Sequence, residues 1–339
     1  MTTFAAVTVI TGATGIVGAR LAFDLIKEGR NVRAMHRPSS DLDFMRKVFH
    51  FYGGEEKGER LFLALEWAEA DVLDPLALES AFRDAEEVYH CAALVSYSSR
   101  DAQKLLLTNA EGTANVVNAA LEAGVQRLCH ISSVSTLGKG KGKPVDENTP
   151  VKRSELRSIY GKSKYLAERE VWRGAAEGLQ AFMVNPSVIL GPAKADQSSG
   201  MFMNMLLEGP FYYPPGGTGL VDVRDVSACC RALMRAGHFG ERFLLNAVNA
   251  SYRDILHSAA SIFGHKPPTF AVQAWMLEML WPLAAVGSAF TARSPRLSKE
   301  LARNAARSLS YSNEKVLSAL DFSFAPLEDS LRYYKDFYL

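Results

Sequence analysis

The sequence predicts an α/β protein with a doubly wound parallel sheet and a smaller, mainly helical C-terminal lobe. Over the first 190 residues, short β-rich runs alternate with amphipathic helical stretches, a pattern that favours a parallel sheet covered by helices on both faces. Beyond residue 191 the order becomes mixed and then mostly helical. The 339 residues are enough for one large domain with such a lobe beside it.

The individual elements follow from apolar periodicity and from turn residues. A strand at 6–11 leads into a helix at 15–28, which Gly29 ends, and a strand at 32–36 completes one βαβ unit. The remaining predicted strands lie at 65–71, 87–92, 127–131, 181–190 and 242–248. The remaining predicted helices lie at 75–83, 101–123, 156–177 and 224–236. We assign residues 1–190, together with about 224–262, to the sheet domain. Residues 191–223 and 263–339 are assigned to the lobe.

Composition and charge exclude several functions. Hydrophobic residues make up 48% and charged residues 22% of the chain, as in an average soluble protein, which argues against a disordered or coiled-coil chain. The formal net charge is +1, so no global field attracts a nucleic-acid backbone or an acidic membrane. A small-molecule substrate is therefore the partner that we expect, and no nucleic acid.

The cysteines and the N-terminus indicate a cytoplasmic protein. Cys91, Cys129, Cys229 and Cys230 show neither C-x-x-C metal spacing nor the density of a disulfide-rich domain, so we expect reduced thiols and no metal site. The first residues lack the basic segment of a signal peptide. Residues 270–292 are apolar, but polar residues and a proline interrupt them, which favours a buried helix over a lipid-facing one and argues against stable membrane insertion.

Three evenly spaced glycines follow the first predicted strand and open the first helix. In such a turn Gly12 permits a tight backbone, Gly15 allows close approach to a pyrophosphate, and Gly18 lets the helix pack on the strand. The N-terminus of the helix adds free N–H groups and the positive end of its dipole. A strand before the glycines and a helix after them are the context that dinucleotide binding requires. We expect the dinucleotide to contact Gly12, Ala13, Thr14, Gly15, Ile16, Val17 and Gly18.

The end of the second strand indicates which dinucleotide is bound. An acidic residue at this place accepts a hydrogen bond from the ribose 2′-hydroxyl of NAD(H), whereas arginine accommodates the 2′-phosphate of NADP(H). Here Arg37 and Ser40 occupy the loop, and no acidic residue occurs before Asp41. These residues favour NADP(H), with NAD(H) as the alternative. Asp71 and Val72, at the end of the third strand, are placed to border the adenine.

Tyr160 and Lys164 lie four residues apart, on one face of a predicted helix. A neighbouring cation stabilises a tyrosine phenolate and so lets the phenol exchange a proton near neutral pH. Ser133, just after the fifth strand, is the expected hydrogen-bond partner of the substrate oxygen, with Ser132 as the competing choice. Asn109, an unusual residue for a helix interior, is expected to hold a water behind Lys164.

The same spacing occurs once more, where we do not expect a proton-transfer pair. Tyr311 and Lys315 also lie four residues apart. They fall in the lobe, and no glycine turn or strand-end serine leads to them. We therefore assign this second pair to packing and solvent contact.

Several motifs follow one another in a fixed order: the glycine turn, Asp71-Val72, Cys91-Ala92-Ala93, Asn109 with Gly112-Thr113, Ser133, Tyr160-x-x-x-Lys164 and Asn185-Pro186-Ser187-Val188-Ile189-Leu190-Gly191-Pro192. In this order they resemble the extended short-chain dehydrogenase/reductase family, of the NAD-dependent epimerase/dehydratase type. The resemblance implies a Rossmann fold, a nicotinamide cofactor, and Ser133, Tyr160 and Lys164 as the catalytic triad. The further cofactor contacts that it implies are Ala92, Ala93, Leu94, Ser132, Tyr160, Lys164, Pro186 and Val188.

Within this family the chain is most similar to the branch of dihydroflavonol reductases and 3β-hydroxysteroid dehydrogenases. His36-Arg37 and Asn185-Pro186-Ser187-Val188 stand where sugar-nucleotide enzymes typically carry an acid and an Arg-x-x-Asn-x-x-Gly-Pro segment. The branch implies an NADP(H)-dependent interconversion of a carbonyl and an alcohol on a bulky, largely apolar small molecule, with Tyr160 as general acid/base. Adaptable apolar side chains in the lobe suit such a ligand: Phe202, Met203, Met205, Phe211, Tyr212, Tyr213, Trp275, Met276, Met279 and Trp281.

Two other functions stay open from the sequence. One is an NAD-dependent sugar-nucleotide epimerase or dehydratase, which uses tightly held NAD as a transient oxidant. The other is a noncatalytic dinucleotide-sensing protein that binds a partner protein. Relatives often pair through the helices predicted here at 101–123 and 156–177, so the resemblance allows a homodimer and leaves monomer and dimer open.

Overall fold

Three β-sheets organise the computed structural model, which describes residues 6–140, 142–152, 156, 158–195, 198–279, 281 and 299–339. In chain order the strands are β1 (Val7–Thr11), β2 (Asn31–His36), β3 (Glu66–Glu69), β4 (Ala85–His90), β5 (Arg127–Ile131), β6 (Gln180–Pro186), β7 (Val188–Leu190), β8 (Tyr212–Tyr213), β9 (Gly217–Asp222), β10 (Arg242–Leu245), β11 (Val248–Ser251) and β12 (Phe270–Ala271). Seven of them form one parallel sheet in the order β10-β6-β5-β4-β1-β2-β3. The order reverses at β1 and β4, and ligands of open α/β sheets bind outside the carboxyl ends of the strands at such a point.

The helices of the described residues lie between these strands and after the last of them. They are α1 (Ile16–Lys27), α2 (Leu42–Gly53), α3 (Glu55–Leu63), α4 (Pro75–Ala81), α5 (Ala102–Leu105), α6 (Gly112–Glu122), α7 (Ile159–Ala176), α8 (Ser198–Glu208), α9 (Val223–Ala236), α10 (Tyr252–Phe263), α11 (Lys299–Ala305), α12 (Glu314–Ala319) and α13 (Leu327–Tyr338). Residues 274–279 are also helical. Each described helix is too short or too polar to cross a membrane.

Helices cover both faces of the large sheet. One core, around Ile10 and Phe49, lies between the sheet and α1, α2, α3 and α9. The second core, around Val9 and Val117, lies between the sheet and α4, α6 and α7. Val9 and Ile10 are neighbours on β1 and point to opposite faces, as successive side chains of a strand do. The apolar runs of the central strands are buried on both sides, and the predicted doubly wound fold class is confirmed.

Two predicted strands each span two separate strands of the structure, and most of the other predicted strands differ from the observed ones by one or two residues at an end. The strand expected at 181–190 is divided at Ser187: β6 stays in the large sheet, while β7 joins a second sheet of order β11-β9-β7. Pro186 has no N–H to donate, so the ladder ends there and the chain can change sheets. The strand expected at 242–248 is divided in the same way into β10 and β11. The reason is that the N–H of Ala247 bonds the carbonyl of Leu220 on β9 and draws the chain to the second sheet.

The helices also differ in places from the prediction. No element was predicted between 36 and 65, where the structure has α2 and α3. The carboxylate of Asp41 accepts a hydrogen bond from the N–H of Phe44 and caps α2. The helix predicted at 101–123 is interrupted by a π-helical turn, Leu106–Glu111.

The domain division into 1–190 with about 224–262, and 191–223 with 263–339, stays a prediction.

The helix predicted at 270–292 is only partly covered by the described residues. Phe270–Ala271 form β12, paired with β8, and a helical stretch follows at 274–279. Within it Leu277 is buried, whereas Trp275 is 59% exposed. The described part is therefore buried on one side, and residues 280 and 282–292 lie outside the description.

Candidate active site

The glycine turn between β1 and α1 is shaped by two close backbone contacts. Gly12 has a φ of +64°, and a Cβ on it would stand 2.6 Å from the Cα of Ala92, just beyond β4. A Cβ on Gly18 would stand 2.2 Å from the carbonyl oxygen of Gly12. Both positions therefore require glycine, the first also because its φ lies in the left-handed region. The expected roles of Gly12 in the turn and of Gly18 in helix packing fit this geometry.

The N-terminus of α1 can receive an anion. Gly15 is the N-cap residue, so no side chain occupies the first N–H groups, and the first turn contains no acidic residue. A Cβ on Gly15 would lie 3.3 Å from the Gly12 carbonyl oxygen, and no other heavy atom outside its chain neighbours would be closer. Ala13 and Val17 are buried, and Thr14 and Ile16 are half-buried. The turn is thus a cradle of backbone donors that fits the pyrophosphate of a dinucleotide.

The loop after β2 lies beside this cradle. The Ser40 hydroxyl accepts a hydrogen bond from the Arg37 N–H at 3.0 Å and lies 3.5 Å from the Thr14 hydroxyl, which links the loop to the glycine turn. The Arg37 side chain is exposed. Asp41, the first carboxylate after β2, forms an ion pair with Lys194 at 2.6 Å. The Asp41 carboxylate accepts hydrogen bonds from Lys194 and from an N–H group at the start of α2, and both bonds lower its pKa.

The ends of β3 and β4 lie at the same carboxyl edge of the parallel sheet as the glycine turn. The Asp71 carboxylate accepts a hydrogen bond from the Leu73 N–H at 2.9 Å. Val72 is buried against Gly112, where a Cβ would approach a Val72 methyl to 2.6 Å. At the end of β4 the Ala92 N–H bonds the hydroxyl of Thr11 at 3.2 Å. Two neighbours of Ala92 expected to contact the cofactor follow in the same loop, Ala93 exposed and Leu94 half-buried.

Asn109 lies on the π-helical turn and holds the loop after β4. Its Oδ1 accepts a hydrogen bond from the Leu94 N–H at 2.7 Å. Its Nδ2 donates to the Leu94 carbonyl and to the Ser163 hydroxyl, both at 2.9 Å. Both amide hydrogens are thereby used, so the side chain ties the loop to α7. The prediction that Asn109 holds a water behind Lys164 gains no support from these contacts.

Tyr160 and Lys164 lie one turn apart on α7, beside the carboxyl end of β5. The Tyr160 phenol is buried, which raises its pKa, while its hydrogen bond with the Ser133 hydroxyl acts in the opposite direction. The Lys164 ammonium is also buried and donates to the Ile131 carbonyl at 2.7 Å and to Nε2 of His130 at 3.1 Å. Burial lowers the pKa of Lys164 to about 8, against the opposing influence of the Glu168 carboxylate. These groups form a compact set of buried hydrogen-bond donors and acceptors that includes two titratable side chains.

The structure separates the two candidate serines. The Ser132 hydroxyl donates to Oε1 of Glu168 at 2.6 Å, in a buried network. The same carboxylate oxygen accepts hydrogen bonds from Thr136 at 2.7 Å and Asn185 at 2.6 Å. Ser133, in contrast, accepts from the N–H of a following residue at 3.1 Å and faces Tyr160. Ser133 is therefore the serine next to the phenol.

The remaining predicted residues lie at the edges of this arrangement. Pro186 is buried at the end of β6, and Val188 begins β7 opposite Leu220. The second tyrosine–lysine pair is separated: Tyr311 packs with apolar residues, whereas the Lys315 ammonium pairs with Glu241 at 2.8 Å. This agrees with its assignment to packing and solvent contact.

Sequence reasoning missed two polar neighbours of Lys164. Glu168 lies four residues after Lys164 on α7, a spacing that places both on one helix face and could have identified it. His130 belongs to β5, and a histidine inside an apolar strand was the available signal. Lys194 was also missed, because its partner Asp41 lies more than 150 residues away in the chain.

Comparisons with known proteins identify the family of the chain. The model of the NAD dependent epimerase/dehydratase family matches residues 8–245. A Synechocystis sp. protein provisionally named dihydroflavonol 4-reductase is 29% identical over 334 residues, covering 95% of this chain and 91% of its own. Sterol demethylase protein B of Methylococcus capsulatus is 31% identical over 273 residues, covering 80% and 79%. The crystal structure of gox2253 is similar with a TM-score of 0.80 and 29% identity, over 98% of each chain. The chain therefore belongs to the NAD dependent epimerase/dehydratase family and is an NAD(P)-dependent oxidoreductase of the extended short-chain dehydrogenase/reductase type.

Proposed function

We propose that the protein is an NADP(H)-dependent oxidoreductase that interconverts a carbonyl and an alcohol on a bulky, largely apolar small molecule. The observation that carries this proposal is the buried Tyr160 phenol, hydrogen-bonded to Ser133 and one helical turn from the Lys164 ammonium. All three groups lie at the carboxyl edge of the sheet, on which the glycine turn also opens. Proton transfer and dinucleotide binding therefore share one crevice.

Each residue of the set has a defined task. A bound nicotinamide supplies or accepts the hydride. Tyr160 donates its proton to the substrate oxygen in reduction and takes it back in oxidation, while the Ser133 hydroxyl hydrogen-bonds that oxygen. A protonated lysine has three N–H donors. Within the described residues, Lys164 donates two of its N–H groups to acceptors on β5, which leaves the third N–H for a ribose hydroxyl. The positive charge of Lys164 stabilises the Tyr160 phenolate.

The loop after β2 supports NADP(H) as the cofactor. The exposed Arg37 guanidinium can form a forked, charge-assisted pair with a 2′-phosphate. Asp41, which could have accepted a ribose hydroxyl, already caps α2 and pairs with Lys194. The loop therefore offers an exposed cation and a carboxylate that is already engaged, and this combination suits a phosphate better than a hydroxyl.

The named relatives and the lobe support an apolar substrate. Relatives named cinnamoyl-CoA reductase 1, from Oryza sativa, and 3-beta-hydroxysteroid dehydrogenase, from Mycolicibacterium neoaurum, are 28% and 26% identical. Their names refer to extended aromatic or steroid skeletons. In the lobe Phe211 is 70% exposed and Met279 is 64% exposed, while Met203 is fully buried. Exposed aromatic and methionine side chains provide an adaptable apolar surface for such a ligand.

We also propose that the enzyme acts in the cytoplasm. The four free cysteines and the nearly balanced charge support this location. Pairing of two copies through the region of α6 and α7 stays a hypothesis, because it rests on the family resemblance.

Arg37→Ala tests the cofactor assignment. We expect the Kd for NADPH to rise about 10- to 100-fold, because a charge-assisted contact with phosphate contributes about 1.5–3 kcal/mol. The Kd for NADH should change less than about threefold, since it carries no 2′-phosphate to lose. Titration of the purified protein with each cofactor, followed by nicotinamide fluorescence, measures both constants. Arg332→Ala, an exposed arginine on α13, is the matched control. An equal loss for both cofactors, or wild-type preference for NADH, contradicts the NADP(H) assignment.

The two serines give a second test. Ser133→Ala should reduce turnover about 10- to 1,000-fold, because a hydrogen-bond donor to the reacting oxygen is lost. Ser132→Ala should instead lower the midpoint of urea unfolding, since it leaves the buried Glu168 carboxylate with one donor fewer. Turnover with an identified apolar ketone or aldehyde and urea unfolding are measured on both variants. The opposite pattern assigns the catalytic hydroxyl to Ser132.

A further inference from the structure

Two fully buried histidines lie side by side beneath Lys164, and the proposed mechanism uses neither. The strand register pairs Thr11 of β1 with His90 of β4, and His90 with His130 of β5. The two imidazole rings are 4.9 Å apart. A row of polar side chains therefore crosses the centre of the sheet, directly under the helix that carries the proton-transfer residues.

Hydrogen-bond partners define the state of His90. The Thr113 hydroxyl donates to the Asn109 carbonyl at 2.5 Å, so it accepts from Nε2 of His90 at 2.9 Å. Nδ1 of His90 then accepts from the Thr11 hydroxyl at 2.7 Å. Burial, and to a smaller extent the Lys164 cation, lower the pKa of His90 to about 3. His90 is neutral, has a partner at both nitrogens and serves to connect β1, β4 and α6.

His130 is arranged differently. An ammonium group can only donate, so Nε2 of His130 is the acceptor for Lys164 at 3.1 Å, and the ring hydrogen sits on Nδ1. That Nδ1 has no hydrogen-bond partner in the part of the chain that the structure describes. Burial and the nearby Lys164 cation lower the pKa of His130, which keeps the ring neutral. The fold thus leaves a polar N–H unpaired while the opposite nitrogen bonds Lys164.

We propose that His130 is a positioning residue for Lys164. Its Nε2 and the Ile131 carbonyl hold two of the three ammonium hydrogens, which fixes the cation below Tyr160 and directs the third hydrogen to the cofactor ribose. This inference rests on the proposed function for the role of Lys164. It adds a neutral histidine, 34 residues earlier in the chain, to the residues on which proton transfer depends.

The groups around Lys164 determine in which direction its pKa moves when the His130 acceptor is lost. Glu168 on α7 and Cys91 after β4 favour the charged amine, while burial disfavours it. Tyr160 lies one turn earlier on the same helix, and the neutral His90 lies beyond His130. A neutral acceptor stabilises an ammonium relative to an amine. Loss of the His130 acceptor therefore lowers the pKa of Lys164 further below its ordinary value.

Two variants of similar polarity test the proposal. In His130→Gln the side-chain oxygen can reach the place of Nε2, whereas in His130→Asn it reaches only the place of Nδ1. We measure the Kd for NADPH by fluorescence from pH 6 to 10, and the pH dependence of kcat. The affinity of the wild type should fall at alkaline pH as Lys164 loses its charge. The midpoint of this loss should move down by about one pH unit in His130→Asn and stay near the wild-type value in His130→Gln.

Control variants separate the alternatives. His90→Asn disturbs the same buried pair without removing a Lys164 partner and should keep the wild-type midpoint. The proposal is overturned if His130→Asn keeps that midpoint, or if His130→Gln or His90→Asn moves it as far as His130→Asn does. Lys164→Met should abolish the alkaline loss of affinity. If it leaves the pH profile unchanged, the proposed role of Lys164 fails and the His130 proposal fails with it.

Discussion

Tyr160→Phe is expected to lower turnover about 100- to 10,000-fold, the range that a positioned general acid/base contributes. The substitution keeps the buried ring and removes the hydroxyl that Ser133 contacts and that exchanges the proton. The glycine turn and the Arg37 loop are untouched, so the Kd for NADPH should change less than about threefold. Turnover is measured as NADPH oxidation with an identified carbonyl substrate, and affinity by fluorescence titration. Retained binding with lost turnover separates chemistry from binding.

Tyr311→Phe is the matched control for this experiment. Tyr311 has the same spacing to a lysine and the same degree of burial, but it packs in an apolar cluster with Val145 and Leu244, and its lysine pairs with Glu241. Its replacement should leave turnover within about twofold of the wild type. If Tyr160→Phe turns over at a near-normal rate, the phenol is not the proton donor and the proposed mechanism is wrong. Bound NAD that survives purification, without net consumption of added coenzyme, supports the epimerase alternative instead.

The parts of the fold and site that the sequence could predict are those set by short stretches of chain. The glycine turn depends on residues within one strand–helix junction, so the positions of Gly12 and Gly18 could be assigned before the structure was known. Tyr160 and Lys164 share a helix face for the same reason. The β5 strand was predicted with its observed bounds, and its apolar residues Leu128, Cys129 and Ile131 are buried as in a central strand of a parallel sheet.

The parts that could not be predicted depend on contacts between distant residues. Ser132 and Ser133 are neighbours of the same type, and only the buried Glu168 on another element shows which of them faces Tyr160. The ending of β6 at Pro186 becomes clear only when β7 is seen to pair with β9. The partners of Asn109 lie in the loop after β4 and on α7, so its role in holding that loop could not be read from its helix alone.

Gly18→Ala should impair both the fold and cofactor binding. The added Cβ would stand 2.2 Å from the Gly12 carbonyl oxygen and 2.9 Å from the Cα of Ala13, and both are backbone atoms that cannot rotate away. The helix α1 must therefore move off β1, at a cost of about 1–3 kcal/mol in the free energy of unfolding. The same movement displaces the N–H groups that face the pyrophosphate, so the Kd for NADPH should rise at least about tenfold.

Gly15→Ala should give a different result, and the comparison tests the assignment of the cradle. Gly15 has φ −83° and ψ 168°, extended backbone that alanine also adopts, and its Cβ would meet a single backbone atom at 3.3 Å. Loss of a glycine N-cap costs at most about 1 kcal/mol. The methyl group would, however, project into the space that the phosphates need, so the affinity for NADPH should still fall about tenfold or more. Urea unfolding and fluorescence titration of both variants are compared with the wild type. Unchanged NADPH affinity in Gly15→Ala excludes this cradle as the pyrophosphate site. The added methyl group would separate the phosphates from the N–H groups of α1, so affinity can stay unchanged only if the phosphates bind elsewhere.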